Sequence, residues 1–254
     1  MPVLHLVIPF LDEETTLGTI VERVQGCDWP SGWSVRVILV DDGSATSAAD
    51  AARALAGRTG SILLRHEANR GKGAALRTGF QQALEIAEPD DLVGVQDADL
   101  EYAPSDLVPM VAAFAQPGRT FDAAFGNRWT GERRSAIRRV HRFGNRMLTR
   151  LSNALTGLRV NDMECCYKVL RVEMLARILP ELDEDRFAIE PQLAASLARH
   201  GARVVEFPVT YDPRSFSEGK KIGVGDAIAA FAAMLREWRR TRRHRRVAPR
   251  GAGS

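Results

Sequence analysis

Cysteine, lysine and long apolar runs are all scarce in this 254-residue chain. The three cysteines are Cys27 and the neighbours Cys165 and Cys166. So small and odd a set excludes a disulfide framework and points to a reducing compartment. No His/Cys set has the spacing of a zinc site. His66 and His141 read as ordinary surface residues, and the paired cysteines as buried and inert. The longest late apolar run, AIAAFAAML (227–235), falls well short of the ~20 residues that span a bilayer. The N-terminus, MPVLHLVIPFLDEE, has neither a basic leader nor a cleavage site. The expectation is a cytoplasmic protein, soluble or peripheral at the inner face of the cell membrane. The net charge of +3 is unevenly placed: residues 236–250 carry +7 and the rest of the chain −4. That distribution excludes a uniformly basic nucleic-acid-binding surface. Lysine occurs four times against 31 arginines, at Lys72, Lys168, Lys220 and Lys221. A chain that uses arginine wherever any cation serves keeps lysine where a compact ammonium is needed.

What is present is an alternation of apolar, β-branched runs with amphipathic stretches. LHLVIP (4–9), VRVILV (35–40), SILLR (61–65) and LVGVQ (92–96) predict strands. Residues 14–25, 47–56 and 73–87 predict the helices between them. This alternation predicts an α/β fold, with a mostly parallel sheet covered by helices on both faces. Later in the chain, 136–158, 191–200 and 224–240 predict helices and 203–209 a strand. In the first of these, Ile137, Val140, Met147, Leu151, Ala154 and Leu158 form an apolar stripe. Residues 1–235 read as one domain and 236–254 as a basic tail.

In such sheets ligands collect beyond the carboxyl ends of the strands. Each of the first four strands ends in polar or charged residues: Asp12 to Glu14, Asp41 to Ser44, Asn69 to Gly73, and Asp97, Asp99 and Glu101. Turn chemistry alone explains one such ending well and four poorly. Asp97 and Asp99, one residue apart at a strand exit, can aim two carboxylates at one point. Two hard oxygen ligands suit Mg²⁺ or Mn²⁺, which take their other ligands from water and a substrate phosphate. NRGKGAALRTGF (69–80) sets glycines around Lys72 before a helix, which suits backbone approach to a phosphate or a plain glycine turn. It lacks the third glycine of a dinucleotide fingerprint and the Ser/Thr of a Walker loop.

VIPFLDEE, VDDGS, NRGKGAALRTGF, QDADLEY, GNR (126–128), NDMECCYK (161–168), RFAIEPQL (186–193) and FPVTYDPRSFSEGKKI (207–222) occur in this order. Together they resemble the inverting family-two glycosyltransferases, most nearly the polyprenyl-phosphate branch that includes dolichyl-phosphate mannose synthase. The resemblance spans residues 3 to about 230. It implies a GT-A fold, a UDP- or GDP-linked sugar donor and a divalent metal. It places Pro9, Asp12 and Glu14 along the nucleotide and Asp42 near the base and ribose. Asp97 and Asp99 would hold Mg²⁺ or Mn²⁺ against the donor diphosphate, with Lys72 also on the donor side. Arg128 would meet a phosphate near the reaction centre, and Arg214 and Lys220 would close over donor or acceptor phosphates. Asp12 stands where the family usually has Asn, and Glu101–Tyr102 where the dolichol enzymes have Gln-His.

A lipid-phosphate acceptor needs no general base, because a phosphate monoester with a second pKa near ~6 is already a dianion at neutral pH. Arg128, Lys168 and Arg214, with Arg133 and Arg134, are the candidates to surround it. Glu164 and Glu190 read equally as sugar- or acceptor-orienting groups and as salt-bridged core residues. SEGKKIG (217–223) reads as a loop that orders on donor phosphates. The apolar face of 227–238 beside the arginines after it reads either as an anchor on an anionic membrane surface or as a cap on the core. Transfer to a glycan hydroxyl, and a non-catalytic nucleotide-sugar or lipid-phosphate binding module, are the alternative functions.

Overall fold

The β-branched runs of the first half form strands β1 (Val3–Phe10), β2 (Ser34–Asp41), β3 (Ile62–Arg65) and β4 (Leu92–Val95). The computed structural model describes residues 1–116, 118, 120–130, 139–213 and 224–247. Helices α1 (Leu17–Gln25), α2 (Thr46–Thr59) and α3 (Lys72–Ile86) connect these strands. All three pairings among the four strands are parallel, with β1 against β2 from Val3↔Ser34 to Phe10↔Asp41. β1 and β4 are buried along almost their whole length, as strands covered on both faces must be. The right-handed crossover rule puts α1 and α2 on one face and α3 on the other, because the path reverses between β3 and β4.

The sheet has seven strands, in the order β3-β2-β1-β4-β6-β5-β7. β5 (Ala123–Asn127), β6 (Lys168–Arg171) and β7 (Val204–Pro208) complete it. β6 is antiparallel to both β4 and β5, and β7 is parallel to β5. Neither β5 nor β6 is evident in the sequence: AAFGN and KVLR are too short to show a period. The residues entering β6 therefore lie on the same rim as the exits of β4 and β5, between them. Helices α4 (Leu107–Phe114), α5 (Arg139–Thr156), α6 (Val172–Ile178), α7 (Ile189–Arg199) and α8 (Val224–Val247) fill the second half.

The apolar stripe divides: Leu151 and Leu158 pack on the core, while Met147 is 57% exposed. Thr149, Ser152 and Thr156 are buried as well, and Phe143 is 71% exposed. Two of these hydroxyls are bonded: Thr149 Oγ1 accepts the Met163 N–H at 3.2 Å, and Thr156 donates to the Ser152 carbonyl of its own helix at 2.7 Å. α8 continues through the proposed tail, with Ala233, Met234, Glu237 and Thr241 all buried. Glu237 pairs with Arg199 of α7 and, at 2.8 Å, with Arg240; Arg240 also binds Asp183 and Arg236 binds Glu184. Two of the tail's arginines thus pair with Asp183 and Glu184 at the surface, and the face of α8 that carries Ala233, Met234, Glu237 and Thr241 caps the core.

Candidate active site

The order 3-2-1-4 makes the gap beyond β1 and β4 a topological switch point, where ligands of open α/β sheets bind. Among the described residues only Asp12 and Leu100 are non-glycine residues with positive φ, at +56° and +63°, and both sit on this rim. Such backbone is held in place only where its surroundings over-determine it. Asp12 is fixed from both sides: its N–H donates to Ser44 Oγ at 2.9 Å, and its Oδ1 accepts the Ala45 N–H at 2.8 Å. Pro9 ends the buried run of β1, and Glu14 is exposed beyond it.

Asp97 and Asp99 lie past the end of β4, Asp99 in a turn, so strand alternation does not aim them. The turn does, with Asp99 Oδ1 accepting the Glu101 N–H at 3.0 Å. Burial first, then the charges of Asp97 and Glu101, push Asp99 up to about 7. The first positive charge that answers this pair is Lys72, whose Nζ is 2.8 Å from Asp97 Oδ1 and 3.3 Å from Glu190 Oε1. Burial alone would lower the Lys72 ammonium, but Asp97 and Glu190 outweigh it and hold it well above the usual lysine range. Lys168 grips the other oxygen of Glu190 and the Cys165 carbonyl. A charged ladder, Asp97–Lys72–Glu190–Lys168, therefore runs along the floor. The Cys166 thiol is pushed up by burial and by Asp97, with which it shares a hydrogen bond.

Several expected phosphate contacts have other work. Lys168, a candidate for the acceptor phosphate, has a side chain only 1% exposed and positions Glu190. The glycines around Lys72 do not open a cradle: the 184–186 backbone fills it. A Cβ at Gly73 would collide with the Glu184 carbonyl oxygen, and the Ala74 N–H at the start of α3 donates to the Asp185 carbonyl at 3.0 Å. Asp42 accepts the N–H groups of Arg70 and Gly71 at 3.0 and 2.7 Å, and its Oδ1 lies 2.7 Å from His66 Nδ1. It shapes the loop that presents Lys72. His66, expected at the surface, is buried between Asp42 and Thr78.

At the exit of β5, Arg128 is buried and locked onto Asp162: Nε and Nη2 donate to its two oxygens at 2.7 Å each, and the Arg128 N–H donates at 3.0 Å. Its guanidinium carbon is 5.2 Å from the ring centres of both Trp129 and Tyr211. Asp162, inside NDMECCYK, is a partner of Arg128 that the sequence did not disclose. Glu206 in turn holds it, accepting the Asp162 N–H at 3.1 Å. Arg133, Arg134, Arg214, Lys220 and Lys221 lie outside the described residues, as does the rest of 217–223. Among the described residues no group of three or more His, Cys, Asp or Glu is set to hold a metal by itself. Asp97 and Asp99 could supply two oxygen ligands to an ion whose shell a diphosphate would complete.

Comparison with known proteins bears on the fold and the family. In solved structures, glucosyl-3-phosphoglycerate synthase of Mycobacterium tuberculosis, in complex with Mn²⁺, UDP and phosphoglyceric acid, shares the fold. The TM-score is 0.66 at 18% identity, covering 93% of this chain and 78% of that one. The dodecaprenyl-phosphate galacturonate synthase of Rhizobium johnstonii is 28% identical over 221 residues, 85% of this chain and 61% of the relative. The undecaprenyl-phosphate 4-deoxy-4-formamido-L-arabinose transferase of Pseudomonas aeruginosa is 30% identical over 217 residues, 85% of this chain and 59% of the relative. The chain thus spans about three fifths of the length of these two transferases. An uncharacterized protein of Methanocaldococcus jannaschii is 26% identical over 231 residues, 89% of this chain and 88% of the relative. The family model described as glycosyl transferase family 2 matches residues 5–179, well over half of the sequence, and the chain belongs to that family.

Proposed function

We propose that this chain is a metal-dependent inverting glycosyltransferase that moves a hexose from a nucleoside-diphosphate sugar to a polyprenyl phosphate. The observation that carries the reading is the Asp97–Asp99 pair at the switch point, with Lys72 on Asp97. The charge excess that raises Asp99 is the kind that a divalent cation relieves, so the donor set fits Mg²⁺ or Mn²⁺. When bound, the ion supplies neutralisation of the leaving nucleoside diphosphate. Lys72 adds a fixed cation beside it, and Pro9, Asp12 and Glu14 border the nucleotide. Arg128, Arg214 and Lys220 serve the phosphates at the reaction centre. Asp162 fixes Arg128 in orientation. A phosphate acceptor is its own nucleophile: its oxygen bonds to the anomeric carbon as the bond to the diphosphate breaks on the opposite face, and the configuration inverts.

The two polyprenyl-phosphate transferases among the relatives support this acceptor. So does the outer face of α5 and α8. Phe143, Met147 and Phe231 are exposed there beside the exposed Arg146, Arg150, Arg239 and Arg242, and α5 contains no acidic residue. An apolar face with a basic flank suits an anionic membrane surface, where the lipid acceptor resides. Among the described residues no helix is long and apolar enough to cross a membrane.

The test is to incubate the protein with UDP- and GDP-hexoses and Mn²⁺ or Mg²⁺. Undecaprenyl phosphate in anionic vesicles, a soluble phosphate monoester and a glycan serve as acceptors, with products read by mass spectrometry. Glycosylated lipid phosphate, lost in Asp97→Asn and Asp99→Asn, is expected. Transfer only to the other acceptors overturns the lipid assignment, and nucleotide-sugar binding without any transfer identifies a binding module.

A further inference from the structure

Lys72 opens α3 and turns its ammonium onto the exit of β4. Its Nζ lies 2.8 Å from Asp97 Oδ1 and 3.3 Å from Glu190 Oε1, while Lys168 holds Glu190 Oε2. Two carboxylates and two ammonium groups thus form a ladder with no net charge. The backbone that carries Lys72 is fixed on both sides: Asp42 Oδ2 accepts the Gly71 N–H at 2.7 Å, and the Asp185 carbonyl accepts the Ala74 N–H at 3.0 Å. Yet the pair is open to a ligand, with the Lys72 and Asp97 side chains 15% and 21% exposed. Asp97 therefore meets an incoming ion with its charge already answered, and the negative charge left over on this turn is that of Asp99 and Glu101. A divalent cation on Asp97 and Asp99 would share the Asp97 carboxylate with Lys72, and two cations held by one carboxylate repel each other. A diphosphate beside them attracts both.

We infer that Lys72 makes uptake of the divalent cation depend on the nucleotide: it holds the affinity of Asp97 and Asp99 for the ion low until a diphosphate is bound beside them. The inference rests on the glycosyltransferase reading above, in which the donor diphosphate sits at Asp97 and Asp99. The diphosphate supplies the negative charge that lets the ammonium and the ion stand side by side, so ion and nucleotide are retained together. A neutral side chain at position 72 would leave the Asp97 carboxylate to the ion alone, and would remove one attraction for the diphosphate. The two effects of Lys72 are therefore opposite in sign, unfavourable to the ion and favourable to the nucleotide.

The test measures binding, not turnover. Calorimetry with Mn²⁺ alone, with UDP or GDP alone, and with Mn²⁺ and nucleotide together is run on the wild-type protein, Lys72→Met and Lys72→Gln. Glutamine can still donate a hydrogen bond to Asp97 and carries the same expectation if methionine is not tolerated in the fold. The neutral variant is expected to bind Mn²⁺ alone about 10-fold or more tighter than wild type, the effect of removing a unit charge a few ångströms from a dication. It is expected to bind the nucleoside diphosphate alone about 10-fold more weakly. A gain in metal affinity is the opposite of what structural damage produces, so a merely structural role for Lys72 cannot imitate it. Thermal unfolding reads the same difference: Mn²⁺ alone should raise the Tm of the variant, and that of wild type only when nucleotide is added. Unchanged or weaker Mn²⁺ binding in the neutral variants would overturn the inference, as would a wild-type protein that binds Mn²⁺ equally well with and without nucleotide. Failure of the wild-type protein to bind UDP or GDP, with or without Mn²⁺, removes the glycosyltransferase reading itself, and the inference falls with it.

Discussion

Substituting Asp162 by Asn tests whether Arg128 is positioned by a buried ion pair. The Asp162 side chain is 0% exposed and that of Arg128 7%, and the carboxylate accepts three hydrogen bonds from this one arginine. Removing one partner of such a pair costs about 3–5 kcal/mol, because the survivor keeps its charge in a poorly solvated site. Asparagine retains one oxygen for the guanidinium or the backbone N–H, so the loss belongs at the lower end, about 3 kcal/mol. For a chain of this size each kcal/mol moves Tm by roughly 2–4 °C, which predicts a fall of about 6–12 °C. Arg128→Met leaves Asp162 buried, charged and unpaired, and is expected to lose a similar amount. The double variant, with no charge on either side, is expected to sit closer to wild type than the sum of the singles by about 1–3 kcal/mol. Thermal and urea unfolding followed by circular dichroism at pH 7 measure all four proteins. Single losses under 1 kcal/mol that simply add in the double variant would refute the argument, because Arg128 would then owe its place to Trp129 and Tyr211 alone.

Gly73→Ala is expected to destabilise by about 1–3 kcal/mol through overpacking against the 184–186 backbone, although alanine is the better helix former by ~1 kcal/mol. Gly57→Ala in α2, where a Cβ meets nothing within 4 Å, is expected to stabilise by about 0.5–1 kcal/mol, and thermal unfolding compares the two. Asp99 sets a pH dependence. Its folded pKa is raised, so between about 4 and 7 the native state binds more protons than the unfolded state, and its contribution to stability declines as pH rises through that window. Asp99→Asn should therefore gain Tm relative to wild type from pH 4 to pH 8 in metal-free buffer; a constant difference would refute this. Glu237→Ala leaves Arg199 with Glu181 as its remaining carboxylate partner and breaks the link from α7 to α8. A loss of about 3 kcal/mol is expected, with faster tryptic cleavage in α8, and unchanged cleavage would mean that α8 is held by its apolar face alone.

The first half of the chain was legible because its signals are local. Apolar β-branched runs, the helices between them and the polar strand exits fix β1 to β4, the parallel sheet and the rim where Asp97, Asp99 and Lys72 meet. The ordered motifs carried the family. What tertiary structure decided was partnership and direction, because an ion pair between residues distant in sequence leaves no period to read. Arg128 and Asp162 lie 34 positions apart, and Lys72 reaches Glu190 from another element altogether. Apolar spacing in the α5 stripe showed amphipathicity but not which side is covered; Leu151 and Leu158 pack on the core, and Met147 is left exposed. The arginines after residue 235 looked like a tail because charge suggests solvent, yet Glu184 and Asp183, outside α8, pair with two of them. Sequence thus determined which elements form and what chemistry their ends carry. Only the packed structure decided which charges neutralise one another, and left the Glu164 oxygen without a partner.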